Sequence, residues 1–425
     1  MTHRPPRTAL PPAFRRLGWS NLLAQFSEQL ALAAAPLAAV LLLAASPSDI
    51  GWLQTAQTMP FLLLSIPAGL IVDKTSRRAL ILGSEGLRSL TLAACVLLLL
   101  SGGLTLPLLA ALGFAGAIGT VCYSVAAPAL LPTLVPTARL ADANRWLELA
   151  RSIAYAAGPA LGGALVGWIG APMAYAVATA LSVLAVTSLI GLPTAVPSRE
   201  QAIDQRRAMM SDLREGALFI LRHDLLRPVL LTAIAFNTAW FVLQAVFVAY
   251  SVQNLRMSAT AVGLTLGIYG AGMIAGALAT PAIARCVSFG TLVLLGPVGG
   301  FVAALVMLLT LWIASPLLAG LSFFLFGAGP ILWTIATITL RQAVTPVTML
   351  GRVSAFIMTA TFGARPIGAA IGAALASRAG VAACLAVAAA GFLIQLMVIV
   401  SSPVPRLRTL PQPAPVCPAT VATTA

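Results

Sequence analysis

The sequence predicts an all-α membrane protein with twelve transmembrane helices in two pseudo-symmetric six-helix bundles. Hydrophobic residues make up 60% of the 425 residues and charged residues only 8%, whereas soluble domains carry about 25% charged residues. Apolar runs alternate with short polar breaks, and each run reaches the roughly 20 residues that a helix needs to cross a bilayer. One long polar segment near the middle divides the runs into two sets of six.

Breaks rich in charge, proline or glycine separate the first six runs. The first run is too long to be the apolar core of a signal peptide, so we expect it to be retained as a helix. The predicted spans are Leu17–Ala44, Gly51–Val72, Ala79–Leu100, Leu106–Val135, Arg145–Ile169 and Met173–Leu192. Residues 1–192 are therefore expected to form an N-terminal bundle.

Residues 193–227 form the long polar segment and contain six arginines and five acids. We expect a cytoplasmic linker here, with residues 212–222 as an amphipathic helix along the membrane surface. Six further spans are predicted at Pro228–Gln253, Ala261–Ala284, Phe289–Ile313, Leu317–Leu340, Val353–Ser377 and Val381–Val400. Residues 228–402 are assigned to a C-terminal bundle, and the tail, residues 403–425, is predicted to be disordered and cytoplasmic because it is rich in Pro, Ala and Thr.

The basic residues predict the orientation of the chain. Lysines and arginines accumulate in short cytoplasmic loops, and Lys74, Arg77 and Arg78 stand together in the break GLIVDKTSRR. We expect both termini in the cytoplasm, which places nearly all of the 25 basic residues on that side or at its helix edges. The exceptions are Arg88, Arg256, Arg365 and Arg378.

Composition also indicates which functions to exclude. The net charge of +14 is spread over span boundaries, which indicates contact with anionic lipid and no binding of nucleic acid. His3 and His223 fall outside the spans, and the five cysteines show no metal-ligand spacing. No nucleotide-binding loop or metalloprotease motif is present. We expect no metal, no cofactor and no enzymatic activity.

The two halves share a weak internal repeat. A shift of 207 residues takes Arg145 to Arg352 and Pro159 to Pro366. Repeats of this kind are typical of transporters, in which the substrate site lies between the repeats. The repeat therefore favours a transporter.

Several stretches resemble the major facilitator superfamily. GLIVDKTSRR is similar to that family's loop between helices 2 and 3. ANRWLELARS and GPALGG, within residues 143–163, resemble the fifth helix of the bacterial exporter branch that contains the enterobactin exporter and macrolide-efflux-like proteins. The fourth helix departs from the family because it has no arginine. The resemblance implies the MFS fold, alternating access, the bacterial inner membrane and conformational gating by Gly69, Asp73, Arg77, Arg78, Gly158 and Pro159. The alternatives are that Arg77 and Arg78 only set the topology and that Gly158 and Pro159 belong to ordinary helix packing.

All eleven acidic residues fall at or before Asp224, so a carboxylate that couples transport to protons must lie in the first half. Glu28 is the deepest of them in a predicted span and shares a helix face with Asn21 and Gln25. A membrane carboxylate normally faces the bundle interior. Glu28 is therefore the candidate proton-coupling residue. The alternatives are an acid that only locks helix packing and a counter-ion for a cationic substrate.

Two acid–arginine pairs, Glu85 with Arg88 and Glu148 with Arg151, are each spaced three residues apart on one helix face. They predict structural ion pairs, with proton relay as the alternative. The resemblance implies a cavity lined by helices 1, 4, 7 and 10, to which a deep arginine of helix 11 is added. The candidate cavity residues are Asn21, Gln25, Tyr123, Asn237, Trp240, Gln244, Trp333 and Arg365. Aromatic rings and amides suit a largely apolar or aromatic solute.

Together these observations predict a monomeric transporter that exports a small amphiphilic compound by alternating access, with proton antiport as the coupling. The expected partners are the small-molecule substrate, protons and the lipid bilayer. A facilitator or an uptake permease for a small metabolite is the alternative. Two features favour that alternative, namely the fourth helix without an arginine and the second half without an acid.

Overall fold

The computed structural model describes residues 11–136, 139–191, 214–346 and 349–411, with only the backbone for residues 65–74, 128, 129, 132 and 141. These ranges are helical almost throughout and contain no β-strand. In hydrocarbon every backbone N–H and C=O must bond within the protein, and a helix achieves this within one segment. Long apolar helices are therefore the structure that this composition requires.

The helices begin and end within five residues of the predicted spans. They are α1 Pro12–Leu42, α2 Pro47–Lys74, α3 Arg77–Leu100, α4 Leu106–Leu134, α5 Leu140–Trp168, α6 Ala171–Leu189, α7 214–222, α8 Leu226–Gln253, α9 Ala259–Cys286, α10 Phe289–Leu309, α11 Pro316–Val344 and α12 Leu350–Val400. α12 contains two spans, because Gly380 has a φ of 78° and interrupts the helix. Of the described helices, nine are long and apolar enough to cross a membrane when α12 is counted once.

Each half of the chain packs as a six-helix bundle. In the first, α1 contacts α5 and α6, α3 contacts α4 and α6, and α2 contacts α4. In the second, α8 and α10 contact α12, and α11 contacts α9 and α10. The bundles meet mainly where α2 packs on α12 and α5 packs on α9. The architecture is therefore the predicted one of twelve spans in two bundles.

The two bundles repeat the same backbone plan with a shift of 210 residues in this part of the chain. α4 and α11 have 29 residues each and begin at positions 106 and 316. Pro136 and Pro346 occupy equivalent turns, where their carbonyls accept hydrogen bonds from the backbone N–H groups of Arg139 and Met349. The predicted shift of 207 residues is wrong by three residues. Three residues are close to one helical turn, so residues paired by the predicted shift still lie near the same face of equivalent helices.

Two of the closest contacts between the bundles lie at one end of the molecule. We call the end where α6 stops and α8 begins the linker end, and the opposite one the far end. Near the far end, a Cβ added to Gly163 of α5 would meet the backbone of Gly263 of α9. A Cβ added to Gly51 of α2 would lie 2.6 Å from the Cβ of Ala373 of α12. Small residues let helix backbones approach closely, so these two contacts close the far end.

Helix α7 is the part of the predicted amphipathic helix that the structure describes. Ile220 is fully buried and packs with Val353 at the start of α12. Glu215 forms an ion pair with Arg352, with 2.7 Å between Oε2 and Nη1. The prediction placed the apolar face of this helix on the membrane surface. In the structure that face covers the second bundle.

The tail is folded at its start. Residues Val404–Arg406 form a 3-10 helix, and Val404 is fully buried. Backbone N–H groups at the start of α10 donate hydrogen bonds to carbonyls of the tail. The prediction of disorder is therefore wrong for residues 403–411, because an apolar side chain and backbone hydrogen bonds anchor them. The later tail, residues 412–425, and the linker residues 192–213 lie outside the described residues.

The close approach at the far end predicts the effect of a single methyl group. We expect Gly163→Ala to lower the free energy of unfolding by about 1–3 kcal/mol, because the backbone of Gly263 cannot move aside without repacking. Gly83→Ala is the control, because a Cβ there meets nothing within 4 Å, and it should change stability by less than about 1 kcal/mol. Thermal unfolding of the two purified variants in detergent measures the difference. Equal stability would contradict the closed far end.

Candidate functional site

Three ionisable side chains form a buried cluster inside the first bundle. Arg88 of α3 contacts the carboxylate of Glu85, one turn before it on the same helix. The Arg88 Nη1 also lies 3.7 Å from Oε2 of Glu28 on α1. The side chains of Glu28, Glu85 and Arg88 are only 17%, 1% and 6% exposed. One guanidinium is thus shared by two carboxylates, a group that we call the acid–arginine cluster.

Tight packing between α3 and α4 holds the cluster in place. A Cβ added to Gly119 of α4 would lie 2.5 Å from the carbonyl oxygen of Ser84. The buried hydroxyl of Tyr123, also on α4, is within electrostatic range of Glu85 and Arg88. One carboxylate oxygen of Glu85 has no hydrogen-bond partner among the described residues. The cluster therefore contains an acceptor oxygen that a proton could occupy.

Arg365 of α12 forms a second polar centre, in the other bundle. Its guanidinium carbon lies 4.1 Å from the ring centroid of Phe362, 5.6 Å from that of Phe241 and 5.8 Å from that of Phe61. Its Nε donates to the Asn237 Oδ1 at 3.4 Å. Phe61 belongs to α2, so the aromatic surroundings of Arg365 come from both bundles. Cation–π contacts of this kind hold an arginine where water is scarce.

The two centres act on each other across the bundle interface. After Arg88, the positive charges that act most on Glu28 are those of Arg365 and Arg151. Two tyrosines lie in the same field, Tyr155 of α5 and Tyr269 of α9. Helices α5 and α9 touch beside these tyrosines, because a Cβ added to Gly270 would meet the backbone of Ala156. The region between the bundles is therefore polar, aromatic and electrostatically coupled.

The predicted cavity residues occupy three different environments. Asn21 and Tyr123 are buried in the first bundle, and Gln25 is half-buried beside them. Trp240 belongs to an aromatic core, with ring centroids 4.9 Å from that of Phe326 and 5.2 Å from that of Tyr269. These placements bring together only some of the residues that the sequence pattern grouped.

Asn237 and Trp333 line a cavity of about 120 Å³ within the second bundle, and Gln395 closes another side of it. Gln244 is half-buried on α8, two turns beyond Asn237. Of the predicted cavity residues, Asn237 and Arg365 are joined by a hydrogen bond. A single central pocket formed by all eight residues stays a prediction.

The second predicted ion pair is present but lies in a different environment. The Arg151 Nη2 is 2.6 Å from Oε1 of Glu148, and the two side chains are 51% and 61% exposed. The guanidinium carbon of Arg151 lies 5.8 Å from the ring centroid of Tyr155. The same spacing of acid and arginine thus gives a buried pair in α3 and an exposed pair in α5.

The predicted gating residues lie on α2, α3 and α5. Gly69 and Asp73 lie near the end of α2, where only the backbone is described. Arg77 and Arg78 begin α3 and are half-buried. Gly158 of α5 packs on the side chain of Gln29 of α1, and the carbonyl of Pro159 faces Gly263. Their role in gating stays a prediction.

Sequence reasoning missed four aromatic residues of the interface. Tyr155 and Tyr269 carry hydroxyls within apolar spans. Because the chain has only five tyrosines, these two could have been singled out from the sequence. Phe61 and Phe362, whose ring centroids lie 5.8 Å apart, offered no signal. Phenylalanine is common in apolar spans, and only the pairing of α2 with α12 brings these two rings to Arg365.

Known proteins resemble this chain in sequence and in fold. An uncharacterized MFS-type transporter, y4rN of Sinorhizobium fredii, is 27% identical over 357 residues, covering 77% of this chain and 79% of that protein. The enterobactin exporter EntS of Citrobacter koseri is 28% identical over 262 residues, which cover 61% of this chain and 59% of the exporter. The chain thus matches somewhat more than half of the exporter's length.

Solved transporter structures share the fold. The nucleoside transporter NupG superposes with a TM-score of 0.68 at 12% identity, over 92% of this chain and 98% of that one. A bacterial homologue of the iron transporter ferroportin, in an inward-facing state, gives 0.68 at 17% identity over 91% and 98%. The family described as transmembrane secretion effectors (MFS_3) matches residues 11–418. The chain belongs to this family and is a multi-pass membrane transporter of the major facilitator superfamily.

Proposed function

We propose that this transporter exports a small amphiphilic compound by alternating access, in exchange for a proton held by the acid–arginine cluster. The observation that carries the proposal is the charge count of the cluster. Glu28 and Glu85 share one guanidinium, that of Arg88. A lone buried charge in a membrane costs several kcal/mol. The cluster therefore favours taking up one positive charge.

A proton and a positively charged group of a substrate can each neutralise that excess charge. Both cannot do so at once without reversing its sign, so binding of one disfavours binding of the other. Competition at one site is what exchange requires, because each bundle orientation then carries either the proton or the substrate. Glu28 is the more accessible of the two carboxylates and would meet the substrate. Glu85 would share the proton.

Arg365 links the proton to the movement of the bundles. Glu28 lies on α1 and Arg365 on α12, and their charges attract across the interface. Protonation of Glu28 removes that attraction. A change in protonation thereby alters the relative stability of bundle orientations, which is the differential interaction that a two-state transporter needs. The orientation in which Gly163 meets Gly263 and Gly51 meets Ala373 at the far end is one of these orientations.

The remaining assignments rest on charge distribution and on relatives. The excess of basic residues in the predicted cytoplasmic segments supports cytoplasmic termini and the bacterial inner membrane. The name of the secretion effector family and the enterobactin exporter among its relatives support export. The protein is proposed to act as a monomer, because each polar centre is built within one chain.

Replacement of Glu28 tests the proton coupling. In proteoliposomes with an imposed pH gradient, wild-type protein should show proton flux when a transported compound is added. The panel comprises lipophilic cations, macrolides and siderophore-like compounds. Glu28→Gln removes the titrating group and is expected to reduce that flux at least tenfold, because the exchange has lost its proton carrier. A pH-sensitive dye inside the vesicles measures the flux.

Glu215→Gln is the control, because Glu215 is 51% exposed and lies on α7 outside the bundles. It should retain the wild-type flux. Substrate equilibration of equal speed in all three proteins, with no proton flux in any of them, would contradict antiport. That outcome would instead establish the facilitator.

The charge count of the cluster also predicts how the replacement of an arginine changes the free energy of unfolding. Arg88→Gln leaves two buried carboxylates without their guanidinium and should cost about 3–5 kcal/mol of unfolding free energy. Arg151→Gln breaks a pair with the same spacing on an exposed surface and should cost about 1 kcal/mol or less. Unfolding in mixed detergent micelles compares the two variants. Similar losses would show that the cluster is not a buried charge centre.

Replacement of Arg365 is expected to weaken the coupling between substrate and proton movement, with little effect on folding. Arg365→Gln should slow substrate-driven proton flux about tenfold, which corresponds to roughly 1.4 kcal/mol, because the attraction across the interface is lost. Arg378→Gln on the same helix is the matched control, because Arg378 is exposed near Gly380. The flux assay measures both variants. Equal flux in the two would remove Arg365 from the mechanism.

A further inference from the structure

A cavity of about 570 Å³ lies between α1 and α6 at the linker end, away from the interface between the bundles. Its lining includes Arg15, Arg16, Trp19 and Leu23 of α1 and Ile190 at the end of α6. We propose that this cavity binds one anionic phospholipid, with the phosphate on the two arginines and an acyl chain along the tryptophan and leucine. The proposal does not depend on the transported substrate.

The polar part of the cavity carries two positive charges. Arg15 and Arg16 are both exposed, and among the described residues no aspartate or glutamate lines the cavity. The Arg16 Nη1 donates to the backbone carbonyl of Ile190 at 3.4 Å, which leaves the rest of its guanidinium to bind an anion. Arginine presents a planar set of donors that matches phosphate oxygens.

The backbone beside Arg16 is shaped to admit its side chain. Gly191 has a φ of 92°, a left-handed conformation that favours glycine. A Cβ at this position would lie 2.5 Å from the Arg16 Nη1. The end of α6 therefore leaves room for the guanidinium at the mouth of the cavity.

The apolar part of the cavity follows the arginines toward the bilayer. Trp19 and Leu23 lie one and two turns further along α1. Trp19 is 54% exposed, and its ring meets that of Trp146 edge-on with centroids 6.1 Å apart. Tryptophan at the headgroup level of a span is typical of the membrane interface. Basic groups above an apolar wall match a phosphate joined to acyl chains, whereas a free anion would use the arginines alone.

Native mass spectrometry of the full-length protein, purified in detergent and mixed with phosphatidylglycerol or phosphatidylcholine, tests the site. Wild type is expected to retain one phosphatidylglycerol in preference to phosphatidylcholine. The double variant Arg15→Gln/Arg16→Gln should bind that lipid at least tenfold more weakly. The control is Arg285→Gln/Arg406→Gln, which removes two exposed arginines at the same end of the molecule and should bind as wild type does.

Further measurements distinguish a lipid phosphate from a free phosphate and test whether the variants are folded. Glycerol 3-phosphate at the same concentration should fail to displace the lipid, and Trp19→Ala should weaken lipid retention. Thermal unfolding without lipid shows that each variant is folded. Equal retention by the two double variants would overturn the site. Displacement by glycerol 3-phosphate would replace the lipid with a free anion and overturn the proposal as well.

Discussion

Three ionisable side chains buried in one helical bundle constrain the structure around them. Arg88 neutralises one carboxylate, yet both Glu28 and Glu85 lie against it, inside a membrane span where an excess charge is costly. Replacing such a group by apolar residues would often stabilise a protein. The first bundle instead keeps the cluster buried between α1 and α3. In the proposed mechanism the excess negative charge of the cluster is neutralised by a proton or by a substrate, which ties the first bundle to what the transporter carries.

Small residues form the closest contacts of the interface, which allows the bundles to move relative to each other. Where Gly163 meets Gly263 and Gly51 meets Ala373, backbones touch and no long side chains interlock. Helices that meet in this way can separate without side chains changing rotamers, which suits rigid-body rocking of one bundle against the other. Further from the far end the interface changes character. Between α2 and α12 it contains the rings of Phe61 and Phe362 and the guanidinium of Arg365, whereas α5 and α9 still touch at Ala156 and Gly270.

Much of the fold was predictable from the sequence because a bilayer permits few structures. Apolar length and charged breaks located the spans, and the predicted spans Val353–Ser377 and Val381–Val400 lie on either side of the interruption at Gly380. The site was less predictable because its contacts depend on helix rotation. Glu85 and Arg88 share a face by spacing alone, but the approach of Glu28 requires the packing of α1 near α3. The docking of Ile220 on α12 and of Val404 against α10 had no local signal, since both contacts join distant segments.

The backbone repeats between the bundles, but the charges do not. Residues 225–425 contain no acid, so Arg365 has no carboxylate to pair with in its own bundle. Its field therefore extends to Glu28 in the first bundle. The excess charge is negative on one side of the interface and positive on the other. The two charges therefore attract each other in any bundle orientation that brings them close. In the proposed mechanism a proton on Glu28 abolishes the attraction, and charge asymmetry on a symmetric scaffold thereby links protonation to bundle movement.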